Sequence, residues 1–333
     1  MRRLRNHRGK FVFLRISPTI RAWLFGLGLL APAVLMAAIG VSSAAEGPGG
    51  EEEQALAAMA GTEGKSGRQT TAGAGVRLEA GGSVLAPADV SGAGMAVWRD
   101  NVKASYDMDH FGFDLGYAGS HYDFSKVGHL PFGGSTPFDS LHRFDAGVTV
   151  KGGLWGNVSG FASLRGSVGY ERDLGDGITG TPLAGIIVPL GGQWTMTLGG
   201  GASFNKVETK PVPIVGLRYQ NGGPLSVDLG FPRTEIAWRG GTWWSLRLAG
   251  GIEAGQYKLA DDNPVAPDGS VALLSPQAGL WFDVRPTQGL TASIGGLYSL
   301  PGTMTFYRES GSRIKRFDVG GAPGGALRLR YEF

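Results

Sequence analysis

A chain of 333 residues, 42% hydrophobic and 18% charged with no cysteine, excludes a disulfide-stapled scaffold, a cysteine-ligated zinc or iron–sulfur site and a cysteine nucleophile. Its 58 glycines and 18 prolines stop short of a low-complexity composition, so an ordered core is expected. The formal charge of +3 is unevenly placed: residues 1–45 hold seven basic residues and no acid, and the remainder carries an excess of acids, leaving no basic face for nucleic acid.

The basic start, the apolar run Ala22–Gly40 and the small residues Ser43, Ala44 and Ala45 before Glu46 are the three parts of a secretory signal. They predict residues 1–45 as a cleaved signal peptide. The run is long enough for an uncleaved anchor, but Pro32 interrupts it and the small-residue site favours cleavage. Without a cysteine near the site, a lipoprotein is excluded. Residues 46–75 are polar, small and free of aromatic side chains, with too little apolar surface to offset the entropy of ordering, which predicts a flexible periplasmic segment.

From residue 76 to 333 no apolar run is long enough for a membrane helix, and the recurring signal is alternation. A weak first strand lies near Val76–Val84. Phe111, Phe113, Leu115 and Tyr117 then alternate with Gly112, Asp114, Gly116 and Ala118; Trp194 through Phe204 and Leu246 through Ala254 do the same. A helix would mix the two sets, whereas a strand separates them onto opposite faces. These stretches run to about ten residues, the length a tilted strand needs to cross a bilayer. Tyr117, Trp194, Phe204, Trp244, Tyr298, Tyr331 and Phe333 sit near their ends on the apolar face, as in the aromatic girdles of a membrane barrel.

Short connections are expected at 107–109, 151–153, 191–192, 221–223, 240–241 and 286–289, and longer ones at 123–139, 172–177, 206–212, 260–270 and 301–324. The alternation breaks at Phe231-Pro232-Arg233. Read as a tight outer corner, with the first strand included, this gives fourteen strands. Without the first strand and with 225–239 as one bent strand, it gives twelve. An all-β, closed antiparallel transmembrane barrel of about 12 strands, range 12–14, is therefore expected, because only a closed sheet leaves no backbone unpaired in lipid.

The chain ends Leu327-Arg328-Leu329-Arg330-Tyr331-Glu332-Phe333, with the apolar residues on one face. This resembles the C-terminal strand of bacterial outer-membrane proteins. The resemblance implies that Leu329, Tyr331 and Phe333 serve as a signal to the barrel-insertion machinery and that the chain is lodged in the cell outer membrane against its lipid. Residues Pro213–Tyr219, Leu225–Pro232 and Ile236–Arg239 also look like a porin-like family of outer-membrane barrels of unknown function. That resemblance implies the fold and no activity.

The face inferred to point inward carries charges of both signs: Lys103, Asp114, Arg143, Asp145, Arg165, Asp228, Arg247, Glu253, Asp283, Arg285, Arg328 and Arg330. Buried charges must be paired, so these are expected to form ion pairs that fill and hold the lumen; in a wetted lumen the arginines would favour anions. His121, His129 and His142 flank the segment 123–139 and, with Asp139 and Ser140, form a conceivable hydrolase or metal constellation, but no nucleophile motif or metal spacing accompanies them. Asp261-Asp262-Asn263 lacks the spaced ligands of a calcium loop and reads as a solvated turn. No cofactor, metal site or catalytic residue is assigned. The expected function is passive, porin-like permeation of small solutes or a structural membrane role. The alternatives are a non-conducting surface protein binding a partner through its outer loops, and, further off, a barrel lipid hydrolase.

Overall fold

The structure, a computed structural model, describes residues 75–175 and 177–333. The expected signal peptide and all but the last residue of the 46–75 segment lie outside the described residues.

Sixteen strands form one sheet. They are β1 (Gly75–Val90), β2 (Ala93–Asp107), β3 (Phe111–Ser125), β4 (Ser140–Trp155), β5 (Val158–Tyr170), β6 (Ile178–Gly191), β7 (Trp194–Asn205) and β8 (Thr209–Gln220). There follow β9 (Leu225–Phe231), β10 (Arg233–Arg239), β11 (Trp244–Lys258), β12 (Ser270–Thr287), β13 (Leu290–Ser299), β14 (Gly302–Tyr307), β15 (Arg313–Val319) and β16 (Ala322–Glu332). From β1 to β13 each strand pairs antiparallel with the next. β16 pairs with both β13 and β1, which closes the ring.

The wall has fourteen staves. β13 and β14 both pair with β12, one after the other, and are a single stave broken at Leu300-Pro301. β15 and β16 are likewise one stave broken at Gly320-Gly321, since β15 pairs with β14 and β16 with β13. Fourteen is the upper end of the expected 12–14 and exceeds the favoured twelve for two reasons. β1 is a full strand whose alternation is blurred by Gly81-Gly82 and by a register shift between Leu85 and Ala88. Residues 225–239 form a hairpin, with Asp228 opposite Glu235, not one bent strand.

Other boundaries shift with it. The segment 301–324, expected as an outer loop, is mostly β14, β15 and the start of β16. The turn expected at 151–153 falls instead at 156–157, where Gly156 takes φ +54°, because β4 continues through Leu154 and Trp155.

Two surfaces result. Outward side chains such as Phe113, Leu115, Leu164, Leu248, Leu280 and Ile294 are exposed and apolar, which in water would be a large liability and in lipid is the matched surface. Trp155, Trp194, Trp238, Trp243 and Phe333 ring one end of this band, and Phe144, Phe204, Phe231 and Tyr298 stand toward the other. The inward face differs between the two ends. At the outer end, the segment between β3 and β4 folds inward: Leu130, Phe132 and Phe138 pack with Tyr122, Phe306 and Phe317 into the main buried cluster. This cluster occupies the outer end of the barrel on the side of β1–β4 and β11–β15.

Candidate functional site

The inner wall below that cluster carries charged side chains because every second residue of each strand points there. Glu79 of β1 is the centre of one group. Its Oε1 lies 3.2 Å from Arg328 Nε, and its Oε2 lies 3.2 Å from Arg330 Nε. Lys103 stands directly across the β1–β2 ladder from it. Glu79 is buried, so both arginines hold a carboxylate that has been taken out of water.

A second group spans β10–β12. Arg247 donates from Nε to Asp283 Oδ2 at 3.2 Å and from Nη2 to Oδ1 at 3.2 Å, a two-pronged contact, and its Nη1 reaches Glu235 Oε2 at 3.4 Å. Glu235 also meets Arg233. The inward ring of Trp281 lies under both Arg247, at 5.4 Å from the guanidinium carbon, and Arg328, at 4.9 Å, and so links the two groups through cation–π contacts.

Around the rest of the wall, Arg165 Nη2 donates to Asp114 Oδ1 at 2.6 Å, Arg143 Nε lies 3.5 Å from Asp145 Oδ1, and Arg218 Nε donates to Asp228 Oδ2 at 2.9 Å. Arg99 reaches Glu253 from β2 to β11, and Gln277 donates to the same carboxylate at 2.8 Å. Of the twelve residues read as inward-facing, Asp114, Arg143, Asp145, Arg165, Asp228, Arg247, Glu253, Asp283, Arg328 and Arg330 each meet an opposite charge, Lys103 stands across from Glu79, and Arg285 Nη2 donates to Ser245 Oγ at 3.3 Å. Glu79, Arg99, Arg218, Arg233 and Glu235 were missed. Glu79 alternates with Leu78 and Ala80 and so had a signal, hidden by the weak appearance of β1; Arg233 and Glu235 were hidden by the corner at Pro232.

Two of these charges remain open to solvent. The Glu253 side chain is 55% exposed and that of Asp228 is 40% exposed, although both point inward. Solvent therefore reaches the charged inner wall on the side of β8–β11. Between β5 and β8 the inner wall also carries an apolar patch: Phe161, Leu183 and Ile214 pack together, with Ile187 and Val212 beside them.

The histidines are not brought together at the rim. His121 and His142 sit side by side on the outward face of β3 and β4, with ring centroids 6.1 Å apart; His121 Nε2 lies 3.6 Å from Asp100 Oδ1, and the Tyr117 hydroxyl bonds His142 Nδ1 at 2.9 Å. His129 is elsewhere, in a 3-10 turn at Val127–His129 that packs on Gly92. Among the described residues no group of three or more histidine and acidic side chains is arranged to hold a metal.

The turn expected to be solvated at 261–263 is partly buried. Asn263 Nδ2 donates to the Pro137 carbonyl at 2.6 Å and to Glu171 Oε2 at 3.0 Å, and its Oδ1 accepts from Val265 N and Ala266 N. It ties together three outer segments, while Asp262 pairs with Arg172, and Lys258 beside Asp261 holds that carboxyl below its usual range. Asn263→Ala leaves these buried groups unpartnered and is expected to cost about 1–3 kcal/mol. Faster proteolysis of the outer segments, with the barrel intact on heat-modifiable gels, would report it.

A closed fourteen-stave antiparallel sheet, apolar outside and charged inside, defines the class: a membrane-type β-barrel. No family model matches the chain, and no curated protein does. Among solved structures it is similar to the COG4313 outer membrane channel from Pseudomonas putida F1, at 12% identity and a TM-score of 0.42, covering 82% of this chain and 99% of that one. It is also similar to the P. putida toluene transporter TodX, at 9% identity and a TM-score of 0.37 over 79% and 91% of the two chains, and to the outer membrane protein OprG from Pseudomonas aeruginosa, at 8% and 0.24 over 79% and 96%. Scores this low leave the architecture to be argued from the strand pairing itself.

Proposed function

We propose that the protein is a passive channel for small solutes in a bacterial outer membrane. The observation that carries this reading is a charged inner wall that solvent reaches: the inward carboxylate of Asp228, and that of Glu253 just above the β9–β10 corner, stay open to solvent in a barrel whose outer surface is apolar. A barrel serving only as a membrane anchor has no need of such a wall. The segments 123–139 and 301–324 are anchored in the aromatic cluster through Leu130, Phe132, Phe138, Phe306 and Phe317, while residues 308–310 and 312–316 stay exposed. The C-terminal residues Leu329, Tyr331 and Phe333 all face outward, the arrangement that reading by the insertion machinery requires.

The test is uptake by proteoliposomes of two small probes, a neutral sugar and an uncharged apolar fluorophore, against empty liposomes. Uptake of either above the control supports the channel. Uptake of neither, from barrels shown to be folded, rejects it. Where current is carried, replacing Arg247 and Arg328 by glutamine removes two lumen cations and is expected to move ion selectivity toward cations, read as a change in reversal potential under a salt gradient.

A further inference from the structure

The wall of this barrel is not of even height. β9 and β10 have seven residues each, while their neighbours β8 and β11 have 12 and 15. Seven residues at ~3.3 Å each, tilted by about 40°, rise roughly 18 Å, less than the apolar band of about 25 Å that a membrane barrel presents. The corner Phe231-Pro232-Arg233 therefore stops within the band, and Phe231 is exposed there on the outward face.

Above the corner the two flanking strands part. β8 pairs with β9 only from Val215 to Gln220, so Thr209–Ile214 has no neighbour on that side. β11 pairs with β10 only up to Gly251, and its continuation turns inward to bridge β5 at Lys258 and Tyr170. The approach is close: a Cβ added at Gly169 of β5 would stand 2.1 Å from the Gln256 carbonyl oxygen. Among the described residues nothing joins β8 to β11 above the corner.

Unpaired strand edges in lipid are costly, and both edges here are managed. Gln220 N bonds Gln193 O, which makes Tyr219 and Trp194 a non-hydrogen-bonded pair and assigns the same status to every second residue of β8. Pro213 and Pro211 fall at those positions, so the nitrogens that would have pointed across the gap carry no hydrogen. On the other side, the Ala254 carbonyl, which faces the gap edge of β11, accepts from Arg143 Nη1 at 2.8 Å. Overhead the β14–β15 turn comes up against the β7–β8 turn: a Cβ at Gly311 would lie 3.6 Å from the Lys206 carbonyl.

We infer that this gap is a side portal joining the lumen to the outer leaflet, and that small apolar solutes dissolved among the lipid chains enter through it. The aromatic cluster occupies the β1–β4 and β11–β15 side of the outer end, whereas the gap lies on the other side, between β8 and β11, next to the solvent-reached carboxylate of Glu253. Its β8 flank carries Val212 on the inner face, packed against the buried Ile214 and against Leu183 of β6, an apolar surface that a small apolar solute can follow. This inference rests on the channel reading and gives it a substrate class.

The chain has no cysteine, so single-cysteine spin labels are clean probes. Val212→Cys places a label on the lumen face beside the portal, and Ser226→Cys places one on the lumen face of β9 below it. In phospholipid vesicles, collision with oxygen, which concentrates in lipid, is compared with collision with a water-soluble nickel chelate. The portal predicts an oxygen-to-nickel ratio several-fold higher at 212 than at 226; equal ratios, or a nickel-dominated label at 212, overturn it. Val212→Trp should in addition cut uptake of the apolar fluorophore several-fold while leaving heat-modifiable mobility unchanged. Uptake by the protein without lipid contact at 212 overturns the portal and leaves the channel standing. Lipid contact at 212 with no uptake of either probe sinks the channel reading, and the solute route with it.

Discussion

Alanine at both Phe306 and Phe317 is expected to open the outer end of the barrel and to raise single-channel conductance in planar bilayers from little or none to stable steps. Phe306 of β14 is fully buried and Phe317 of β15 nearly so. Phe132 contacts both at 5.4 Å between ring centroids, the two rings meet edge-on at 6.0 Å, and Phe138 lies 6.2 Å from Phe306. Removing each buried ring leaves a cavity and costs about 3–5 kcal/mol, enough to release the 123–139 segment that the rings hold. The loss is local: β14 pairs with β15 on one side and with the outer end of β12 on the other, while the ladders of β1–β13 and β16 continue below them. The variant should therefore still run as a folded barrel. Conductance unchanged in that folded variant would place the axial block elsewhere.

Glu79→Ala is expected to be the most destabilising single change in the lumen, at about 3–5 kcal/mol, because it leaves the half-buried arginines Arg328 and Arg330 without their carboxylate. The position matters as much as the charge. Glu79 stands on β1 and its partners on β16, so the ion group staples the seam at which the first and last strands close the ring. A lowered guanidinium midpoint for detergent-refolded protein, and loss of the heat-modifiable form at a lower temperature, would show it. Glu79→Gln keeps an acceptor without the charge and should lie between the two. An alanine variant with the original midpoint would mean that Trp281, over Arg328, and the paired strands hold the seam by themselves.

Much of this architecture is written in period two. The separation of Leu327, Leu329, Tyr331 and Phe333 from Arg328, Arg330 and Glu332 is a local property of an extended chain, and it assigns lipid and lumen faces without any knowledge of neighbours. Charges read from sequence as sharing one face, such as Arg247, Asp283 and Arg328, are grouped around Trp281 and one another for that reason. Strand number was harder, because glycines and a register shift erase alternation in β1, and because a seven-residue hairpin and a single bent strand have the same pattern across 225–239. The loops were harder still. Nothing local to Leu130, Phe132 or Phe138 says that they fold back to meet Phe306 and Phe317, more than 160 residues away in sequence.

By itself, then, the sequence determined an all-β barrel, its apolar and charged faces and the aromatic residues at the edges of the band, since each follows from side chains alternating along one strand. Tertiary structure alone decided how those strands close: which acid meets which base, the packing of aromatic rings at the outer end, and the gap left where β9 and β10 end early. These depend on register and relative strand length, which are set between strands, and a one-residue change in either would redirect every side chain concerned.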